Sequence, residues 1–158
     1  MKVFETIVKS LISFFAAYMK QWLVDTNVIL DVLGADEKFG QVSRQALTHC
    51  AENGVLVINQ VIFAEVGACI DTLEELDCLL PEVLFRRDSL PWEAAFLAGK
   101  AFTRYKRAGG KKTRILADFL IGAHAAVKGF TLITRDSGIG KYFEIHVLNP
   151  LQPHDFTK

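Results

Sequence analysis

Short apolar runs alternate with longer amphipathic stretches from residue 22 onward, and this alternation limits the chain to few folds. The apolar runs predict strands over 22–25, 55–59, 83–85, 130–134 and 145–148. Strands separated by helical crossovers pair in parallel, and their helices cover the sheet. The sequence therefore predicts an α/β fold with a central parallel sheet.

Capping and breaking residues bound the predicted helices between these strands. Asn27 is a candidate N-cap for the first helix, and Gly34 is a plausible stop. Pro91 fits the first turn of the fourth helix. The predicted helices cover 27–33, 42–52, 60–80, 91–107 and 117–128.

Length and composition predict one domain, over residues 19–158, because 158 residues with 51% hydrophobic content can bury one sizeable core. Eighteen basic and eighteen acidic residues cancel, so nucleic-acid binding would have to come from a local patch. Cys50, Cys69 and Cys78 lack the spacing of a disulfide framework or a zinc ribbon. We expect buried, reduced thiols and a cytoplasmic protein.

Residues 1–18 form a separate amphipathic segment, in which apolar residues recur at helical spacing opposite polar ones. The segment is too short and too interrupted to span a bilayer, and no clear signal-peptidase site follows it. Either it is an N-terminal extension that binds a partner or another copy of the chain, or the natural start is Met19, immediately before the first strand. The intact mass of the native protein distinguishes the two.

Four carboxylates interrupt apolar stretches where a predicted strand ends or a predicted helix begins. Asp25 and Asp136 follow predicted strands, Asp118 lies in the first turn of a helix, and Glu65 lies about a turn and a half into another. Since functional crevices in parallel sheets lie beyond the carboxyl ends of the strands, the four acids can converge there. Unpaired buried charges are costly, so we expect a cation to balance them.

Magnesium or manganese is the cation that such a cluster favours, because both prefer carboxylate and water oxygens, whereas zinc sites usually contain His or Cys. A bound ion can polarise a phosphodiester oxygen and lower the pKa of bound water. Without metal, mutual repulsion should raise some of the carboxyl pKa values. We therefore expect one or two Mg²⁺ or Mn²⁺ ions, which would also raise the melting temperature.

Three motifs together resemble the PIN-domain ribonucleases, and more narrowly the VapC-type toxins of bacterial and archaeal toxin–antitoxin pairs. They are LVDTNVILD at 23–31, ADFLIGA at 117–123 and LITRD at 132–136, the last followed by Tyr142 and Phe143. The resemblance covers roughly residues 21–150. Each motif alone is weak, but their order and spacing are specific.

The resemblance implies a PIN-like three-layer α/β/α sandwich that cleaves RNA at phosphodiester bonds. It also implies a homodimer that a small antitoxin neutralises by inserting near the active site. The acids that would bind metal and act in catalysis are Asp25, Glu65, Asp118 and Asp136. The supporting polar groups near the metal or substrate would be Thr26, Asn27 and Thr134.

Each acid also has a plain structural interpretation. Asp25 could cap the helix after it, although Asn27 can do that and the preceding run is strongly apolar. Glu65 could be solvated on a long helix, and Asp118 could be a favourable first-turn charge. Asp136 could be an ordinary turn residue, and taken alone it fits either role equally. The apolar neighbours of the other three favour the ligand role.

Other titratable residues are predicted to lie outside the site. Asp31 is off the helical face of Asp25, which predicts a surface or capping role, and His124 is predicted to be packed or exposed rather than a general base. Arg135 could pair with one of the acids. The chain lacks the motifs of serine hydrolases, zinc proteases and P-loop nucleotidases.

Six basic residues fall within eleven positions that contain no acid, on a helix end and a glycine-containing loop that precede Asp118. This basic segment is either a contact for an RNA backbone or a solvated helix terminus whose cations suit the helix dipole. Its members are Arg104, Lys106, Arg107, Lys111, Lys112 and Arg114.

Two function classes remain at this point. The first is a metal-dependent endoribonuclease of the VapC type, and the second is a PIN-like module that binds RNA or a protein partner without cutting. The complete set of four acids disfavours the second class, because a degenerate site would often have lost one of them. A receiver-like phosphoryl acceptor is less consistent with the positions of the acids.

Overall fold

The computed structural model describes residues 1–114 and 116–152 of the chain. Five strands, all parallel, form one sheet in the order β3-β2-β1-β4-β5, and helices flank it, so the predicted α/β fold is confirmed. The strands are β1 (Lys20–Val24), β2 (Gly54–Ile58), β3 (Phe85–Arg87), β4 (Thr131–Ile133) and β5 (Val147–Leu148).

Seven α-helices and one 3₁₀ helix lie within the described residues. The 3₁₀ helix spans Ile139–Lys141 and follows β4. The α-helices are α1 (Lys2–Tyr18), α2 (Thr26–Leu33), α3 (Gly40–Glu52), α4 (Gln60–Gly67), α5 (Leu73–Leu79), α6 (Trp92–Arg107) and α7 (Ala117–Lys128).

The three inner strands form the centre of the core, and this explains their continuous apolar sequences. The last three residues of β1 and of β2, and all three of β4, are buried. Parallel strands that are covered on both faces need apolar side chains in both directions, so they do not alternate with polar residues.

The strand order changes direction at β1, and that point positions the candidate site. The chain builds β2 and β3 on one side of β1, and then α6 and α7 return it to add β4 and β5 on the other side. The carboxyl ends of β1 and β4 are adjacent, since the Asp25 amide donates to the Ile133 carbonyl at 2.9 Å. Crevices at such switch points are the usual ligand sites of parallel sheets.

The predicted helix over 60–80 was wrong, because two helices occupy this stretch. Helix α4 ends at Gly67, and Thr72 caps α5 by accepting the Glu75 amide at 3.2 Å through its Oγ1. Thr72 and Glu75 have the spacing of a capping box, which is a helix-start signal. The apolar periodicity continues across the break and conceals it.

Three smaller expectations also need correction. The N-cap of α2 is Asp25 rather than Asn27. Strand β3 begins at Phe85, whereas Val83, where we expected it to begin, is 96% exposed. Cys50 is buried as expected, but Cys69 and Cys78 are exposed, and all three are free thiols.

The amphipathic pattern at the N-terminus corresponds to helix α1, which only Met19 separates from β1. Most of its large apolar side chains that the structure describes are exposed. Within residues 1–114 and 116–152, no helix has both the length and the apolar character of a membrane span.

Candidate metal centre

Asp25 stands at the junction of β1 and α2, where it is 7% exposed. Its Oδ1 accepts the Thr26 amide at 2.8 Å, which caps α2. Its Oδ2 accepts Asn27 Nδ2 at 2.6 Å and the Thr134 hydroxyl at 2.5 Å. Asp25 therefore both caps the helix and holds a fixed carboxylate at the sheet edge, so the two interpretations of this residue are compatible.

Glu65 joins the same network from helix α4. Its Oε2 accepts the Thr26 hydroxyl at 2.6 Å, and its side chain is partly buried. Helix α4 starts at the end of β2, where Asn59 caps it by accepting the Ile62 amide at 3.0 Å. The cap fixes the start of the helix, and about a turn and a half later the chain brings Glu65 back to the edge where Asp25 lies.

Thr134 connects the end of β4 to the first motif. Its Oγ1 donates to Asp25, accepts Asn27 Nδ2 at 3.1 Å and accepts the Asp136 amide at 3.0 Å. Asn27 completes the link by accepting the Arg135 amide at 3.2 Å through its Oδ1. The three supporting polar groups therefore hold Asp25 and Glu65 in place and order the backbone that carries Asp136.

Asp118 and Asp136 face a second part of the site, a cleft of about 190 Å³ that both residues line. Asp118 lies exposed in the first turn of α7. Asp136 is also exposed, and its Oδ1 accepts the Gly138 amide at 2.6 Å in a turn of the loop after β4. Tyr105 and Lys141 line the same cleft.

The four acids act on one another electrostatically. The pKa of Asp25 is raised from 3.8 to about 6, mainly by burial and also by the charges of Asp118 and Glu65, although the hydrogen bonds from Thr134 and Thr26 lower it. The pKa of Asp118 is also raised, first by desolvation and then by repulsion from Asp136 and Glu65. Mutual repulsion is the property that we expected of a metal-free cluster.

The donor set fits a hard divalent cation. Among the described residues, none of the four acids forms an ion pair with Lys, Arg or His. The side chains do not form a finished chelate, because no group of three or more His, Cys, Asp or Glu residues in the described part of the chain lies close enough to hold an ion. Their oxygens are of the type that Mg²⁺ and Mn²⁺ bind, so the chemistry fits and side-chain rotation would have to bring the ligands together.

A family comparison identifies the fold. Residues 22–143, well over half of the chain, match the PIN domain family. The chain belongs to the PIN domain family. A comparison with curated proteins found no significant match.

Solved structures share this PIN fold at low sequence identity. VapBC2 from Rickettsia felis, bound to a DNA fragment from its promoter, is 18% identical with a TM-score of 0.64, and the match covers 82% of this chain and 98% of that one. VapBC-1 from nontypeable Haemophilus influenzae is 16% identical with a TM-score of 0.64, covering 84% and 99%. FitAcB from Neisseria gonorrhoeae is 24% identical with a TM-score of 0.60, covering 83% and 99%.

The prediction for Asp31 was wrong, because this residue is buried beside the PIN-domain site. Its carboxylate accepts Arg135 Nε at 2.7 Å, Arg135 Nη2 at 2.9 Å and the Ser43 hydroxyl at 2.6 Å. The Arg135 guanidinium also lies 4.2 Å from the ring centroid of Phe39. Arg135 thus pairs with an acid outside the set of four, and it anchors the loop that carries Asp136 to helices α2 and α3.

His124 is packed in the interior, which is one of the two alternatives that the sequence left open, and none of its side chain is exposed. Its Nδ1 lies 3.0 Å from Asn59 Nδ2, and its Nε2 lies 3.0 Å from Asp88 Oδ1. Since the Asn59 amide group is the donor, Nε2 carries the proton of a neutral ring. Burial lowers the pKa of His124, and the hydrogen bond to Asp88 opposes this. The histidine joins α7 to the ends of β2 and β3.

The basic segment lies next to the cleft that Asp118 lines. Arg104 Nη2 donates to the Tyr142 carbonyl at 2.7 Å, and Lys106 Nζ donates to the Gly110 carbonyl at 3.0 Å. Lys111 and Lys112 are exposed. The first two side chains therefore have local partners. Lys141, which was not predicted as a site residue, is a further cation that lines the cleft.

Proposed function

We propose that this PIN domain, over residues 19–158, is an endoribonuclease that depends on Mg²⁺ or Mn²⁺. The observation that carries the proposal is the set of four acids, which lie at one edge of the sheet, repel one another, and have no cationic partner among the described residues. Membership of the PIN family supports nuclease activity.

Asp25, Glu65, Asp118 and Asp136 would hold one or two ions. When bound, the metal would polarise the phosphodiester and supply a water of lowered pKa as the attacking group. Asp25 and Glu65 enter the reaction already oriented by hydroxyl and amide donors, so little side-chain entropy is lost when they bind. Asp118 and Asp136 carry fewer constraints and would adjust to the ion and the substrate.

The RNA would approach across the cleft and the basic segment. Lys111, Lys112 and Lys141 are exposed cations near the acids, and such side chains bind phosphates without regard to base sequence. Tyr105 and Tyr142 line the same cleft, and aromatic rings stack on unpaired bases. This arrangement favours single-stranded RNA as the substrate class.

We further propose that the protein is the toxin of a toxin–antitoxin pair and that it forms a homodimer. The structures that share its fold include a toxin–antitoxin complex from Klebsiella pneumoniae and VapBC complexes, which supports a small antitoxin protein as the partner. Because these likenesses are below 25% identity, the partner is a proposal that rests on the shared fold.

Cleavage of a mixed pool of structured RNAs that also contain single-stranded regions tests the nuclease. Purified protein free of antitoxin should release discrete fragments with Mg²⁺ or Mn²⁺, and neither EDTA-treated protein nor the Asp25→Asn variant should do so. The matched control is Asp71→Asn, which removes an exposed acid in the turn after α4 and should cleave as the wild type does. Cleavage that persists in Asp25→Asn would contradict the proposal.

A non-catalytic RNA-binding module is the second candidate. The exposed basic segment favours it independently of the acids. The same experiment separates the two functions, since RNA that is bound but never cut in the presence of metal would support the module.

A further inference from the structure

Helix α1 exposes apolar side chains that the PIN fold does not use. Phe4 is 71% exposed, Ile7 52%, Leu11 50% and Tyr18 77%. A short solvent-exposed helix of this composition is unstable alone, because helix formation in water needs length or packing. Something must therefore cover this face when the helix is formed.

The spacing of these residues points to another helix as the cover. Phe4, Ile7, Leu11, Phe14 and Tyr18 follow one another at intervals of three, four, three and four residues. This is the heptad repeat of the helix–helix seam in coiled coils and bundles. The rings of Phe14 and Tyr18 contact each other along it, with centroids 4.9 Å apart.

The opposite face of α1 is polar and nearly neutral. Lys2 and Lys9 are balanced in part by Glu5, and the Thr6 hydroxyl donates to the Lys2 carbonyl at 2.9 Å. Helices that lie on membranes carry a strongly basic polar face, which α1 lacks. The charge pattern therefore favours a protein surface over anionic lipid.

We propose that α1 is a self-association helix that packs its seam, defined as Phe4, Ile7, Leu11, Phe14 and Tyr18, against α1 of a second copy of this chain. Given their exposed fractions, these five side chains can bury roughly 600 Å² per copy, which is the lower end of the range for a specific interface. The seam is self-complementary, so one surface serves both copies.

The position of α1 leaves the candidate metal centre free. Helix α1 joins β1 at its amino end through Met19, whereas Asp25 lies at the carboxyl end of that strand. Pairing through α1 therefore takes place at the amino ends of the strands, whereas the four acids lie at the carboxyl ends. Both copies would keep an accessible site, and association and metal binding would be independent.

Sedimentation equilibrium of the full chain tests the proposal over a concentration series. Wild type should be at least a dimer, and Leu11→Glu should raise the apparent dissociation constant of the α1 contact about a hundredfold or more, because both copies lose an apolar contact and bury a charge. If the rest of the domain also associates, Leu11→Glu should lose only the α1 contact and keep the other one, so the mass of its assembly should be half that of the wild type. The control Thr6→Glu places the same side chain on the polar face and should leave the mass unchanged.

Equal masses for wild type and Leu11→Glu, or a wild type that stays monomeric, would overturn the proposal. Binding of wild type, but not Leu11→Glu, to vesicles of anionic phospholipid with no change of mass would overturn it in favour of a membrane surface. Mn²⁺ binding per chain should be the same in Leu11→Glu and wild type. A wild type that associates as expected but binds no Mn²⁺ would contradict the proposed function and leave the association through α1 intact.

Discussion

Asp25 shows how a single residue can serve the fold and the proposed chemistry at once. Its carboxylate accepts three hydrogen bonds at the start of α2, yet burial still raises its pKa to about 6. Hydrogen-bond donors stabilise the charge only in part, so the metal-free protein keeps a destabilising group at its sheet edge. A bound cation would remove that cost.

The raised pKa predicts how stability depends on pH. Asp25 binds its proton more tightly in the folded state, so its contribution to the free energy of unfolding is lost as pH rises from the unfolded value of 3.8 through about 6. A shift of two units corresponds to roughly 3 kcal/mol. Urea denaturation in EDTA should show that Asp25→Asn gains about this much relative to wild type between about pH 4 and pH 7.

A bound metal ion should offset this loss of stability in the wild type. Millimolar Mg²⁺ or Mn²⁺ should raise the melting temperature at neutral pH, and this increase should be smaller in Asp25→Asn because the variant binds the ion more weakly. An equal difference in the free energy of unfolding between Asp25→Asn and wild type at about pH 4 and at about pH 7, both measured in EDTA, would show that the Asp25 carboxylate is not a buried, destabilising charge.

The ion pair between buried Asp31 and partly buried Arg135 allows a second test at the scale of residues. Asp31 is 5% exposed, and Asp31→Asn leaves the guanidinium without its charged partner. The free energy of unfolding should fall by about 2 kcal/mol, because the Arg135 side chain is 25% exposed and water partly replaces the charge-assisted hydrogen bonds that are lost. Glu82→Gln is the matched control, because it breaks an exposed pair with Arg87 and should cost less than about 1 kcal/mol. Urea denaturation that gives equal losses would refute the structural role of the pair.

At the scale of elements, the approach of α7 to the loop after β4 depends on a glycine. A Cβ on Gly122 would lie 2.7 Å from the Phe143 ring and 2.9 Å from Ile139 Cδ1. Helix α7 carries Asp118 and the 3₁₀ helix follows Asp136, so this contact sets the distance between two of the four acids.

Substitution of Gly122 by alanine should therefore destabilise the domain. We expect Gly122→Ala to lower the free energy of unfolding by about 2 kcal/mol through overpacking. Gly99→Ala, in the middle of α6, meets no atom within 4 Å and should raise it by roughly 0.5–1 kcal/mol through helix propensity. Thermal denaturation of both variants checks the contrast, and equal stability of the two would show that α7 can move away.

The sequence predicted strands and helices correctly where the signal for them lies within the element itself. Inner strands β1, β2 and β4 are uniformly apolar, and the pattern found them. The break between α4 and α5 was missed because a periodic apolar face continued across a capping box. The burial of Asp31 could not be predicted from α2, since its partner Arg135 lies 104 positions away.

At the scale of the whole molecule, strand order decides which residues meet. Local sequence patterns predicted a parallel sheet, but they do not state that β4 lies beside β1, which is the contact that brings Thr134 to Asp25. The approach of the four acids was predicted only from the general property of parallel sheets. Their hydrogen bonds could not be predicted, because the partners come from separate elements of the chain.

Charge distribution matters at this scale because the formal net charge is zero. Reversing Lys111 and Lys112 together should weaken RNA binding and reduce the magnitude of the log–log salt slope by about 1.4, since two phosphate contacts to single-stranded RNA would be lost. The control reverses Lys2 and Lys9, which changes the net charge equally at the other edge of the sheet. Fluorescence anisotropy over a salt series measures both, and equal effects would exclude a specific role of the basic segment.

Manganese titration by calorimetry tests the central claim most directly, namely that four acids from separate parts of the chain act as one metal centre. Asp25→Asn, Glu65→Gln, Asp118→Asn and Asp136→Asn should each weaken Mn²⁺ binding at least about tenfold, while Asp71→Asn should bind as wild type does. Wild-type affinity in all four variants, or no Mn²⁺ binding by the wild type itself, would contradict the account.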